Sequence, residues 1–256
     1  MTNSIPKVIH YCWFGRKPLP EFAKKCILSW KKYLPDYEIK EWNEDNFNVN
    51  IIPYTAEAYE KKKYAFVSDY ARFYILYHHG GIYFDTDVEV VKSLAGIIND
   101  GPFMGFEQPN ETVKQDINGL YNVAPGLGLG VAPGLGLYKE LLDYYSKLHF
   151  IDIDERKKPI TIVKHTTDVL VGKGLKQNNA KQVVAGVTIY PWDYFCPQSF
   201  YTGKILITKN TVTIHHYSQS WHSGYERFVF TLDKYLPSWI MDFCVMVKHL
   251  LMNFRR

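Results

Sequence analysis

The sequence predicts an α/β fold in which a Rossmann-like mixed central sheet is flanked by helices. Two features predict it: short β-type runs alternate with stretches of helical period in the first third of the chain, and 256 residues suffice to bury one sizeable core. Residues 7–14 read as a first strand, 21–33 as a helix and 38–42 as a second strand. Residues 56–79 follow as one long helix, with Ala65, Tyr70, Phe73, Tyr74 and Tyr77 on or near an apolar stripe that stops at His78-His79-Gly80-Gly81. The next run, 80–90, is β-type, and Asp85 and Asp87 are its only charges before Glu89.

On a strand, residues two apart point to the same side, so Asp85 and Asp87 can reach one divalent cation. Oxygen-ligated Mg²⁺ or Mn²⁺ commonly joins carboxylates to a bound phosphate, which suggests a phosphorylated substrate. The plainer alternative is the solvated face of an edge strand. Asp69 and Arg72 are three apart and share a helical face. They could be a simple surface ion pair, but only the two glycines separate their helix from the carboxylate strand, so Asp69, Arg72, Asp85 and Asp87 could converge on one polar site. Tyr11 and Trp13 occupy the carboxyl end of the first strand, where α/β proteins bind nucleotides; Tyr11 could equally pack into the sheet. Cys12 points the other way, to the core.

The hexapeptide Ala124-Pro125-Gly126-Leu127-Gly128-Leu129 recurs as Ala132 to Leu137. It has no Gly-Lys-Ser/Thr sequel, so it is not a phosphate loop; it reads as turns lining a cleft near Asn122. Thr167 and Asp168 read as the start of a helix, as a cap or as acceptor contacts. Near the end, alternation sends His215 and His216 to opposite faces, and the spacing after Ile214 favours His215 for the cleft. Residues 237–256 read as an amphipathic helix lying in a membrane interface or docked on the core or a second subunit.

The net charge of +4, without a dense basic stripe, argues against a nucleic-acid partner. Aromatic residues make up 16%, a composition suited to stacking on sugars and bases. The four cysteines form no Cys-x-x-Cys pair, which fits a reducing compartment. The first residues lack the apolar core of a signal peptide, and no apolar run reaches the roughly 20 residues of a spanning helix, so the expected location is cytoplasmic, either free or peripheral on the inner face of the cell membrane.

The stretch Tyr64-Ala65-Phe66-Val67-Ser68-Asp69-Tyr70-Ala71-Arg72 through Gly80-Gly81-Ile82-Tyr83-Phe84-Asp85-Thr86-Asp87 resembles the sugar-binding region with a DXD motif of glycosyltransferase family 32. Residues 5–15, with His10-Tyr11-Cys12-Trp13, resemble that family's opening strand, and Ile214-His215-His216-Tyr217-Ser218-Gln219-Ser220-Trp221 its closing motif. The resemblance implies a GT-A type catalytic domain over residues 1–236, a divalent cation on Asp85, Asp87 and His215, and sugar transfer with retention from a nucleotide sugar. It implies a base stacked on Trp13, which suggests UDP, and donor contacts from Ser68, Asp69, Arg72, Tyr83 and Asn122. Ser218, Ser220 and Trp221 would close over the diphosphate. The acceptor would be a glycan or a lipid-linked species in capsular or other surface polysaccharide synthesis. Two alternatives use the same residues differently: a metal-dependent phosphohydrolase on the Asp pair, and a carbohydrate-binding module built on the aromatics.

Overall fold

The computed structural model describes residues 4–109, 121–150, 161–200 and 202–218. The chain divides into one compact unit through Tyr217 and a second from Ser218 onward. The C-terminal helix expected over 237–256 lies outside the described residues, as do Ser220 and Trp221.

The first unit contains β1 (Val8–Cys12), α1 (Glu21–Tyr33), β2 (Glu38–Trp42), α2 (Pro53–Glu60), α3 (Tyr64–His79), β3 (Gly81–Tyr83), β4 (Val88–Val90), α4 (Ala95–Asn99), β5 (Phe103–Gly105) and β6 (Leu129–Val131). It continues with α5 (Gly136–Tyr145), α6 (Ile162–Gly172), β7 (Gln182–Val184), β8 (Val187–Tyr190), α7 (Trp192–Phe195) and β9 (Thr213–His215). Seven strands form a sheet in the order β2-β1-β3-β6-β5-β8-β7, and β4 pairs with β9 in a separate ribbon. β2, β1 and β3 run parallel, β6 is antiparallel to β3 and to β5, β5 and β8 are parallel, and β7 closes the edge antiparallel to β8. The expected mixed sheet flanked by helices is therefore observed.

Alternation along the strands builds two cores. Cys12, Tyr83, Met104 and Ile189 face the layer of α3, α5 and α6, while Tyr11, Ile82, Phe103 and Tyr190 face Trp30 of α1 and Phe195 of α7. Because β6 reverses direction between β3 and β5, the carboxyl ends of β1, β3 and β5 lie on the same side of the sheet. Trp13, Asp85 and Glu107 each follow one of these ends.

Three expectations need correction. The helix expected over 56–79 is two helices. Lys62 takes φ +57, Lys63 N–H donates to Ala58 O (2.8 Å) and Lys62 N–H to Tyr59 O (2.9 Å). These bonds define a Schellman stop, made here with lysine in the left-handed position. The aspartates are not on a strand: β3 ends at Tyr83, and Val88 N–H donates to Asp85 O (3.0 Å), closing a turn that holds both carboxylates between β3 and β4. Thr167 and Asp168 sit inside α6, whose cap is Thr161, its side chain accepting from Lys164 N–H. Thr167 Oγ1 is occupied by Val123 N–H and Val163 O, and Asp168 pairs with Lys164.

Candidate active site

Arg72 gathers the site. It stands eight residues before Gly80, roughly 12 Å along a helix, and Asp85 stands four residues after Gly81, about 13 Å along an extended chain. The two therefore meet when Gly80 and Gly81, at φ +64 and +99, fold β3 back along α3. Arg72 Nη2 pairs with Asp69 Oδ1 at 2.9 Å and approaches Asp85 Oδ1 at 3.4 Å, and Nε donates to Ser68 O at 3.1 Å. The Tyr83 hydroxyl donates to Asp85 Oδ1 (3.0 Å), and the guanidinium lies 5.0 Å from the centre of the Tyr83 ring. Burial works against the charge of Arg72, and Asp85, Tyr83 and Asp69 hold it on. Burial pushes the Asp69 carboxyl upward, against the pull of Arg72.

Asp87 faces elsewhere. Its Oδ1 lies 3.2 Å from His215 Nε2, and the β4–β9 register sets His215 opposite Val88. His216 turns away, to Glu89 Oε2 at 2.8 Å and the edge of Phe22. Burial tends to lower the His215 pKa, yet it is raised because the charges of Asp87, Asp85 and Glu107 favour the proton. His215 Nδ1 is buried without a hydrogen-bond partner among the described residues, and the ring packs edge-on against Tyr217, centres 4.3 Å apart.

The other expected residues divide by exposure. Tyr11 is buried and donates to Glu41 Oε2 (2.6 Å), the packing alternative. Trp13 is half-buried, its indole N–H donating to Lys17 O at 2.6 Å. Ser68 is half-buried and donates to Tyr64 O. Tyr83 is buried beneath Arg72, so it props the site from below. Asn122 Nδ2 donates to Glu107 Oε1 at 3.4 Å. Burial pushes Glu107 up to about 7, with Asn122 and His215 pulling the other way. Ser218 is described but belongs to the second unit.

Two residues escaped the sequence reading. Gly126 O accepts from Asp85 N–H (3.3 Å), and a Cβ at Gly126 would stand 2.2 Å from Asp85 Oδ2; the repeat flagged the segment but not this contact. Tyr217 stands in the closing motif, but its φ of +50, and with it the packing on His215, is not marked in the sequence.

A family model described as the glycosyltransferase sugar-binding region containing DXD motif matches residues 20–104. Residues 20–104 are therefore similar to a glycosyltransferase sugar-binding region. The expected DXD glycosyltransferase family is thereby supported, and this region spans α1 through β5 with the Arg72 network and both aspartates inside it. An uncharacterized glycosyltransferase, L373, of Acanthamoeba polyphaga mimivirus is 32% identical over 127 residues, 47% of this chain and 51% of that protein. Inositol phosphoceramide mannosyltransferase 3 of Schizosaccharomyces pombe is 31% identical over 106 residues, 38% of this chain and 28% of that protein. The chain thus spans about half the length of the first relative and less of the second. Among solved structures, the PaToxG glycosyltransferase aligns at TM-score 0.48 and 19% identity, covering 67% of this chain and 71% of that one. The galactosyltransferase LgtC, in complex with donor and acceptor sugar analogs, aligns at 0.37 and 16%, covering 87% and 94%.

Among the described residues no group of three or more His, Cys, Asp or Glu is gathered for a metal, and no helix is long and apolar enough to cross a membrane. The donor chemistry nevertheless fits a cation. Two neighbouring ligands at about 2.1 Å from one ion stand about 3 Å apart, close to the 3.2 Å between Asp87 Oδ1 and His215 Nε2.

Proposed function

We propose that the chain is a cation-dependent, retaining glycosyltransferase of the GT-A type, moving a sugar from a nucleotide sugar, a UDP-sugar first among the candidates, to a glycan or lipid-linked acceptor in surface polysaccharide synthesis. One observation carries the reading: within the DXD region Arg72 ties Asp69 to Asp85 while the neighbouring Asp87 faces His215. Two acidic groups two residues apart are thus aimed at different partners, one inward to a guanidinium and one to an imidazole.

Asp87 and His215 would hold the ion; Asp85, which the resemblance makes a ligand too, is turned instead to Arg72 and Tyr83. A carboxylate–imidazole set suits Mn²⁺ better than Mg²⁺, which prefers oxygen. When bound, the ion supplies positive charge to the diphosphate as the anomeric bond breaks. The protein's own residues do the positioning. The side chain of Asp85 is 29% exposed against 5% for Arg72 and 12% for Asp69. Asp85 therefore presents itself to the donor, and Arg72 and Asp69 set its orientation from beneath. Retention is assigned to attack on the face from which the nucleotide departs, a route that requires no enzymic nucleophile.

The test is a screen of purified protein against UDP-, GDP- and dTDP-sugars with and without Mn²⁺, reading nucleotide and sugar product by mass. Transfer that needs both a donor and the cation is expected, and acceptor-independent release of phosphate would favour the phosphohydrolase. Asp87→Asn should abolish turnover while leaving the melting temperature close to that of the parent; full activity in that variant overturns the site.

A further inference from the structure

The outer face of α1 and the loop before it concentrate positive charge. Residues 16–32 hold Arg16, Lys17, Lys24, Lys25, Lys31 and Lys32 against Glu21 alone, a net +5 where the whole chain carries +4, so all other residues together come to −1. On the helix, Ala23, Cys26 and Trp30 form the buried stripe. Lys24, Lys25, Lys31 and Lys32 lie on the opposite side, three or four residues from Leu28, which is 61% exposed. A face that is merely solvated intersperses both signs. Here Glu21 is the only acid and is already paired with Lys24 at 2.6 Å. Arg16 is held by Asp45 at 2.9 Å, whereas Lys25 and Lys31 have no ion-pair partner among the described residues.

We infer that this face docks on an anionic lipid bilayer. A surface of negative headgroups complements the lysines, and its acyl boundary accepts the exposed leucine they surround; a purely polar polyanion has nothing to offer Leu28. Phe22, at the start of the same helix and 41% exposed, packs edge-on against His216, whose N–H donates to Asp87 O at 3.1 Å. The helix that meets the bilayer thus begins at the rim of the DXD turn. The inference concerns attachment alone and does not depend on sugar transfer.

The test is sedimentation of the full chain with sucrose-loaded vesicles of phosphatidylcholine, with and without 30% phosphatidylserine. The expected result is binding only to the charged vesicles, reversed in high salt. At about fivefold per lysine, Lys25→Gln with Lys31→Gln should weaken partitioning roughly 25-fold. Leu28→Ser should weaken it less, and Lys139→Gln with Lys164→Gln not at all. Circular dichroism checks that each variant is folded, as expected at exposed positions. No binding to charged vesicles, equal binding to neutral ones, or binding that survives the Lys25/Lys31 change and so belongs to the C-terminal residues, would each overturn the inference. So would retention on heparin by a protein that ignores vesicles.

Discussion

Residues 124–129 and 132–137 have identical sequences and opposite fates. The first copy is buried throughout; in the second only Leu137 is buried. In the first, Leu127 N–H bonds back to Ala124 O at 3.2 Å and Gly126 lies against Asp85. In the second, Gly134 swings to φ +83 and donates to Tyr77 O at 2.8 Å. Leu129 enters strand β6 and Leu137 enters helix α5. Pro-Gly makes a turn in both, so the local code is honoured, and everything beyond the turn is decided by what lies beneath: the Arg72–Asp85 network under one, the end of α3 under the other. A repeat of this kind guarantees punctuation and nothing more.

The contrast can be tested at each copy's foundation. The greatest effect is expected beneath the first. Arg72→Ala leaves Asp69 buried without its counter-charge and should cost about 3–5 kcal/mol, read from the urea midpoint; a loss under 1 kcal/mol would mean the network matters little for folding. Gly126→Ala places its methyl against Asp85 Oδ2, and a displacement of this size should lower sugar transfer roughly 100-fold, about 2.7 kcal/mol of barrier, with much less effect on stability. Unchanged transfer would detach the first copy from the site.

Beneath the second copy, Pro133 touches the site of Gly80, and Gly80 O meets His10 Nε2 at 3.0 Å, while Trp42 Nε1–H donates to His10 Nδ1 at 3.0 Å. His10 is thus fixed neutral, and burial lowers its pKa from 6.5 to about 4. Between those values the unfolded chain binds the extra proton, so this contribution to stability is present above pH 6.5 and lost as pH falls towards 4. About 2 kcal/mol should go between pH 6 and pH 4.5. Glu107, pushed up to about 7, acts with the opposite sign over the same range, so the readout is the difference from His10→Gln, whose stability should fall less steeply by one proton. Equal slopes would exclude His10. The smallest effect is expected at the second copy itself: Gly134→Ala meets nothing within 4 Å, and its positive φ alone should cost about 1 kcal/mol, with transfer untouched.

Much of this was legible in the chain. The bounds of α1 and β2 coincide with the spans read from periodicity, because a 3.6-residue stripe and an alternating run are local properties. Asp69, Arg72 and Asp85 do converge, because the length of a helix and the length of a strand are arithmetic. The break at Lys61 to Lys63 was hidden, since the left-handed position that usually advertises itself as glycine is filled by Lys62. The turn carrying Asp85 and Asp87 was also hidden. Its flanks are strands of different sheets, and an apolar run does not announce where one sheet hands over to another. The resemblance makes Tyr83 a donor contact, yet it lies buried under Arg72 in the fold, because the inward face of a three-residue strand is set by its neighbours.

The ribbon of β4 and β9 joins Val88 to His215, 127 positions later. At a ribosome adding 5–20 residues per second, that interval lasts roughly 6–25 s. For that time the nascent DXD turn has its guanidinium but not its imidazole. A polypeptide ending before Thr213 would contain β2, β1 and β3 yet lack the side chain that faces Asp87.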